Sequence, residues 1–505
     1  MSWSRADTLG RLSKRPLDLV VIGGGITGAR IALEAARIGW QVALIDGGDF
    51  GGGTSSASSK LIHGGFRYLA MGDVALIRES QLERRMLTEH IAPNLVRPMP
   101  FLLPVYEGSS RGPAAVAAGL MLYRALARGS GRVGVMDRAQ ATRLVTPLRT
   151  ECMRMSGVFE EAETIDARLV LATVKGAARA GALVLNHAKV VGIDLRHNRG
   201  GRVTVDSGAD GVLELRARHV INAAGPWVDH VRALDDPASR PLVRLSKGVH
   251  LLVPLEGEWK AGVAMPLRGG RVALGIPWQG MLMLGTTDTL FTGSPGDVSV
   301  TREDMRTVLN EASLFLPDQM LQPSKVRFAI AGLRALPIAD GGTAAARRGH
   351  LIEVSRNGLV SVAGGKLTTH RVIACDALSR LPYAHIGRLG PSCDRLPGTG
   401  WSVDVESRTS IDPAVADHLE RLYGDEAGRV LDLARIVPGG SERIHPDGPD
   451  LWAQVDYAYE SEWALTADDV VRRRTTLAVR GLATEAIRER VASRSPLARA
   501  SGLFR

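Results

Sequence analysis

At 505 residues, 45% hydrophobic and 23% charged, the chain has the composition of an ordinary globular protein long enough for two or three domains. It contains no run of about 18 apolar residues, which excludes a helical membrane span, and its first residues lack the apolar stretch of a secretory signal. The formal net charge of +10 calls for acidic partners; the arginines are scattered and no nucleic-acid-binding signature accompanies them, which leaves a membrane surface or an anionic substrate and cofactor.

In chain order, residues 1–16 carry Arg5, Arg11, Lys14 and Arg15 and are expected to form a basic N-terminal tail, disordered or resting on anionic lipid. Residues 18–22, Asp-Leu-Val-Val-Ile, are short and β-branched enough for a buried parallel strand. Gly23, Gly25 and Gly28 follow. The first permits a tight turn, the second lets the backbone approach a pyrophosphate, and the third lets the next helix pack close against the strand. That helix is expected over residues 26–38, opening on Ile26 and Thr27 and stopping at Gly39, and its positive end would hold phosphates. A second strand over residues 41–45 ends on Asp46, whose carboxylate can take ribose hydroxyls. Strand, glycines, helix, strand and terminal acid in this order favour nucleotide binding over a structural turn.

Gly51-Gly52-Gly53 then lead into a segment with Thr54, Ser55, Ser58, Ser59, Lys60 and His63, closed by Arg67 and Tyr68. Small hydroxylated residues suit a cofactor whose long polar tail lies along the backbone, as the ribityl arm of FAD does. A flexible linker would account for residues 51–59 but not for the Lys-Leu-Ile-His-Gly-Gly-Phe-Arg-Tyr that follows.

Further pieces of a split nucleotide-binding unit are expected as a helix over 167–180, strands near 183–185 and 203–205, and a strand over 220–223 that must turn at Gly225-Pro226. A strand over 359–362, a glycine turn at 363–365 and a helix over 367–379 complete it, the helix offering its N-terminus to the anionic edge of a flavin. Between these pieces, alternating segments at 249–253 and 281–284 are consistent with an antiparallel sheet. Past the Gly/Pro-rich residues 396–400, helical patterns at 414–423 and 468–480 dominate, the second preceded by the capping pair Thr466 and Asp469. Cys152, Cys375 and Cys393 lack metal-ligand spacing; each is expected as a small core filler in a reducing compartment, and no metal site is expected.

The chain resembles the FAD-dependent, quinone-linked glycerol-3-phosphate dehydrogenases of the D-amino-acid-oxidase-like flavoprotein group. The resemblance covers nearly the whole chain and rests on residues 22–29 (IGGGITGA), the segment 54–69, and the runs NAAGPW at 222–227, KGVH at 247–250, GTTD at 285–288, GLR at 332–334 and GGKLTT at 364–369. It implies an α/β fold: a Rossmann-type FAD-binding domain (glutathione-reductase/D-amino-acid-oxidase-like) with an inserted antiparallel-sheet substrate domain and an all-helical C-terminal domain. The FAD-dependent unit would span 17–385, with FAD parts at about 17–76, 155–240 and 327–385 and substrate parts at about 77–154 and 241–326. The helical domain would span 389–505. The implied FAD contacts are Gly23, Gly25, Ile26, Thr27, Gly28 and Asp46 of the fingerprint, then Thr54, Ser55, Ser58, Ser59, Lys60 and His63, then Gly225, Gly365, Lys366, Leu367 and Thr368.

Oxidising a secondary alcohol on FAD requires hydride transfer to flavin N5, removal of the hydroxyl proton and a grip on the rest of the substrate. A phosphate grip wants guanidinium forks and ammonium charges. By resemblance the substrate is glycerol 3-phosphate or a similar polyol phosphate, gripped by His63, Arg67, Tyr68, Arg334, Arg348 and Lys366. His250 is the expected proton acceptor, with Arg334 orienting or stabilising the developing alkoxide; His63 is the competing histidine. Nearby cations would keep either imidazole neutral. The chain departs from the family pattern at His370, where a tyrosine is common, at Ile165-Asp166, usually an Asp-Asp pair, and mildly at Phe66. Phe66, Arg347, Arg348 and His370 are therefore expected to set the choice among polyol phosphates. The resemblance also implies membrane quinone as acceptor, peripheral attachment to the inner face of the cytoplasmic membrane, and a homodimer. The alternatives are another substrate such as erythritol phosphate, oxygen as acceptor, an amine-oxidising flavoenzyme, or a flavin-binding subunit without catalysis.

Overall fold

The computed structural model describes residues 4–65, 73–109, 111–126, 131–195, 201–338, 349–382, 390–401 and 411–496. The apolar run at the start becomes the strand Leu17–Ile22, buried along nearly its whole length, with parallel neighbours on both sides: Val42–Ile45 and Val212–Asn222. A strand flanked on both edges reads as continuous hydrophobic sequence because both its faces are covered. The whole sheet has eight strands, ordered His350–Val354, Val360–Gly364, Val212–Asn222, Leu17–Ile22, Val42–Ile45 and Leu183–Leu185, with Lys189–Asp194 and Gly201–Asp206 as an antiparallel extension on Val212–Asn222. The helix Ile26–Arg37 packs against both Asp166–Arg179 and His370–Ser379. This is the expected Rossmann-type layer.

The second sheet has ten strands, from Thr289–Phe291 through Val243–Pro254, Met281–Gly285, Val272–Trp278, Gly262–Pro266, Val96–Tyr106 and Met153–Thr164 to Leu61–Ile62. Two corrections follow. The sheet is mixed rather than antiparallel, because Gly262–Pro266 runs parallel to Val96–Tyr106. Moreover, Met153–Thr164 and Phe328–Pro337 reach into the stretches set down as FAD parts, 155–240 and 327–385, yet both are strands of this second sheet. Each pairs along its length within the second sheet, so the second sheet draws on residues from both sides of those boundaries.

Beyond residue 411 the helices Pro413–Tyr423, Ala427–Ile436, Trp452–Ser461, Ala467–Arg473 and Glu485–Ser493 form the C-terminal part. It docks on Asp166–Arg179 through buried ion pairs: Arg168 with Glu462 at 2.6 Å, and Lys175 with Glu426 at 2.7 Å and Glu462 at 2.8 Å. Burial alone would raise the pKa of Glu462; Arg168 and Lys175 instead hold it at about 2. Removing one member of such a set leaves a buried charge without its partner, a loss of about 3–5 kcal/mol.

Three local expectations need correction. The N-terminal residues are not a free arm: Arg5–Leu12 is a helix capped by Ser4, with Leu12 buried and Arg5 paired to Asp210 at 2.6 Å. The helix expected over 468–480 ends at Arg473, because Arg474 turns inward to Asp49 and the Thr475 and Thr476 hydroxyls bond to Val470 O and Asp450 instead of following the helical ladder. Cys152 and Cys393 are exposed, so they are not core fillers.

Candidate active site

The two sheets enclose a cavity of about 2230 Å³ at the C-terminal ends of the parallel strands. Its first wall is the fingerprint. Gly23 has φ 106°, and a Cβ there would lie 2.5 Å from Ala223 O; a Cβ on Gly28 would collide with Gly23 O. Gly25, Ile26 and Thr27 line the cavity. Gly25 is the N-cap of Ile26–Arg37 and brings no side chain, and the first turn holds no acid, so the positive end of the helix is available to an anion. Asp46 lines the same wall, accepting from Gly24 N at 2.6 Å and Gly48 N at 2.8 Å; burial pushes its pKa up to about 6. Its remaining lone pairs suit ribose hydroxyls. An elongated dinucleotide fits this set: glycine cradle, helix N-terminus and acid lie along one cavity with room beyond for a small substrate.

The serine-rich segment forms the floor, and the protein holds it at four points. Thr54 donates to Leu333 O at 2.6 Å, Ser55 accepts from Ile26 N at 3.0 Å, Ser58 donates to Asp166 at 2.7 Å, and Ser59 meets His250 Nε2 at 2.9 Å. All four residues line the cavity. Lys60, expected among the cofactor contacts, does not. Its ammonium is buried, donating to both carboxylate oxygens of Asp166 at 2.8 and 2.9 Å and to Ser56 O at 2.7 Å. Asp166, the acid retained beside Ile165, is thus the anchor of the whole segment. Sequence reading gave it no role, and the signal was there: one acid kept at that position and, 106 residues earlier, one lysine with no other explanation.

The opposite wall carries charge. Arg334, on Phe328–Pro337, donates to Thr286 Oγ1 at 3.0 Å and to Thr287 O at 3.2 Å and pairs with Asp288 at 3.4 Å, leaving its side chain about one-third exposed to the cavity. Gly248 on the adjacent strand makes this possible, since a Cβ there would strike the guanidinium. Arg268, Arg271, Arg244 and Lys366 share the lining, as do Gly225, Gly365, Leu367 and Thr368. His63 also lines it, its N–H donating to Thr368 Oγ1 at 3.2 Å. Arg268 and Arg271 escaped sequence reading because they sit in a short turn, Arg-Gly-Gly-Arg, that has the look of a solvated loop. Glu161 escaped it too: this lining carboxylate accepts from Gly64 N, and burial pushes its pKa up to about 7.

His250 is placed differently from the expectation. It is 2% exposed and stands behind Ser59 rather than in the cavity wall, with Nδ1 unpartnered among the described residues. Burial first, then Arg334 and Lys60, lower its pKa to about 3, so the imidazole is neutral. His370 is also moved. It is wholly buried and donates Nδ1–H to Leu367 O at 2.7 Å, standing behind the lining residue Leu367 rather than in the lining itself. Phe66, Arg67, Tyr68, Arg347 and Arg348 lie outside the described residues.

Comparison with known proteins bears on this geometry. Residues 18–371 match the FAD dependent oxidoreductase family, and residues 395–494 match the C-terminal domain of alpha-glycerophosphate oxidase. The chain is 33% identical to a glycerol-3-phosphate dehydrogenase of Synechocystis, over 92% of this chain and 89% of that protein. It is 35% identical to the human mitochondrial glycerol-3-phosphate dehydrogenase, over 91% of this chain and 67% of that protein. Among solved structures, the Bacillus halodurans glycerol-3-phosphate dehydrogenase complexed with FAD aligns with a TM-score of 0.75 and 28% identity, covering 97% of this chain and 95% of that one.

Proposed function

The chain belongs to the FAD-dependent glycerol-3-phosphate dehydrogenase family, and from that membership we propose that it oxidises sn-glycerol 3-phosphate to dihydroxyacetone phosphate and passes the electrons to membrane quinone. The observation that carries this reading is the joining of two sites in one cavity: a dinucleotide cradle from Gly23 to Asp46, and a wall of Arg334, Arg271, Arg268 and Lys366 suited to a phosphate dianion. An amine-oxidising enzyme would have no use for so many cations. FAD bound in the cradle supplies the hydride acceptor at flavin N5.

The residues divide the remaining work. Arg334 and Lys366 bind the phosphate or the developing alkoxide, joined by Arg67, Tyr68 and Arg348 as the resemblance implies. His63 positions the substrate from the segment tied to Thr368. The hydroxyl proton passes to Ser59, whose own proton moves to His250 Nε2, because Ser59 lies between that imidazole and the cavity. The depressed pKa of His250 makes it a weak base at rest. Burial is the larger part of that depression; a bound phosphate dianion would offset the smaller part due to Arg334 and Lys60, raising the proton affinity when substrate arrives.

Membrane docking finds support on the helix Pro113–Leu126, where Ala114, Ala115, Ala118, Met121, Leu122 and Ala125 are exposed. Residues 108–136 contain four arginines and no acid. An apolar stripe on a segment whose charged residues are all basic suits an anionic bilayer surface, the phase in which quinone dissolves. No described helix is long and apolar enough to cross a membrane. Attachment at the inner face of the cytoplasmic membrane and a homodimer are parts of the same proposal.

Arg334→Ala tests the assignment: the variant should keep its flavin and lose reduction by glycerol 3-phosphate, whereas loss of flavin would make Arg334 a structural residue. For the acceptor, a soluble quinone analogue should reoxidise the reduced enzyme faster than oxygen does; the reverse order would make it an oxidase.

A further inference from the structure

The cavity continues past Asp46, and its outer wall there comes from the C-terminal domain. Gly47, Gly48 and Asp49 follow the ribose acid, and Thr466, Asp468, Asp469 and Arg473 face the same space. The two sides are bonded through charge. Asp49 is 5% exposed; Arg473 donates to it, and Arg474 forms a fork on it, one arm at 2.8 Å. Asp469, 2% exposed, holds His187 Nε2 at 2.9 Å and Arg473 at 2.9 Å. His187 has φ 47°, a left-handed conformation that non-glycine residues adopt only when their surroundings hold them there.

We propose that the C-terminal domain completes the subsite for the adenosine portion of FAD, with Arg473 as the residue that couples its docking to cofactor retention. Three acids, Asp46, Asp49 and Asp469, sit where an anionic cofactor must lie. Arg473 bridges two of them across the domain boundary and also lines the cavity. Without it, Asp49 and Asp469 lose a shared counter-charge, and the outer wall loses a tie to the strand loop. Removing Arg473 leaves Arg474 on Asp49, so the domain stays docked while the subsite loosens. The inference concerns FAD alone and is independent of which polyol phosphate the enzyme oxidises.

The test uses the full-length chain. Arg473→Ala should raise the FAD dissociation constant by at least about five-fold, the low end of ordinary coupling between sites. Arg473→Lys should recover part of the affinity. An unchanged dissociation constant in a folded Arg473→Ala protein overturns the proposal. Should that variant not fold, hydrogen exchange on the wild-type apoprotein decides. Amides of residues 466–474 should exchange more slowly when FAD, or ADP alone, is added, and identical exchange with and without both ligands overturns the proposal.

Discussion

The anchoring of the serine-rich segment by Lys60 and Asp166 can be tested by Lys60→Met. Both side chains are almost wholly buried, at 3% and 1% exposure. The substitution removes two ionic bonds and leaves Asp166 with uncharged donors, the Ser58 hydroxyl at 2.7 Å, Ser58 N at 3.4 Å and Ala167 N at 2.8 Å. Breaking one side of a buried pair costs about 3–5 kcal/mol, a large share of the roughly 5–15 kcal/mol that holds a typical protein folded. Asp166→Asn should cost a comparable amount, since it strands the ammonium. The double variant Lys60→Met/Asp166→Asn strands neither charge and should be more stable than the sum of the singles by about 2 kcal/mol or more. Urea unfolding of the apoproteins, followed by circular dichroism, measures all four corners of the cycle. Additive losses, or a Lys60→Met protein within about 1 kcal/mol of wild type, would refute the anchoring role.

Other outcomes are equally specific. His370→Tyr should leave the relative rates on glycerol 3-phosphate and erythritol phosphate unchanged, since His370 does not line the cavity, while lowering stability by about 1–3 kcal/mol through overpacking; a changed substrate ratio would contradict that placement. His250 and His370 both have pKa values held near 3, below the ordinary 6.5, so the unfolded chain takes up protons first as pH falls. Stability should be lost progressively from about pH 6.5 towards pH 3, by on the order of 4 kcal/mol per histidine, and His250→Asn should flatten that slope in a pH series of urea melts. Met121→Glu/Leu122→Glu should abolish co-sedimentation with anionic vesicles and leave reduction by substrate in solution unchanged; retained binding would move the docking surface elsewhere.

Much of this was legible in the sequence because it is local. The strand at Leu17–Ile22, the glycine turn, Asp46 and the Thr466–Asp469 capping box each depend on residues a few positions apart. What stayed hidden depends on long-range burial. Lys60 looked like a cofactor contact because nothing nearby in sequence accounts for it; its partner lies 106 residues away. His370 follows the glycine turn that lines the cavity, yet the start of the helix at residue 370 rather than 367 turns its ring into the core beside Arg30 and Arg371. Arg474 ended a helix that propensity would have continued, because a buried acid from another domain required it. His250 was found by resemblance, but its position one residue behind the cavity wall, reached through Ser59, is a property of the packed sheet alone.

The most direct test of the central claim is anaerobic titration of the purified flavoprotein with glycerol 3-phosphate, erythritol phosphate and amino acids, following the visible absorption of oxidised FAD. Bleaching by glycerol 3-phosphate at lower concentration than by erythritol phosphate, and none by amino acids, is the predicted result. An absorption left intact by every phosphate, or bleached by an amino acid instead, would contradict it.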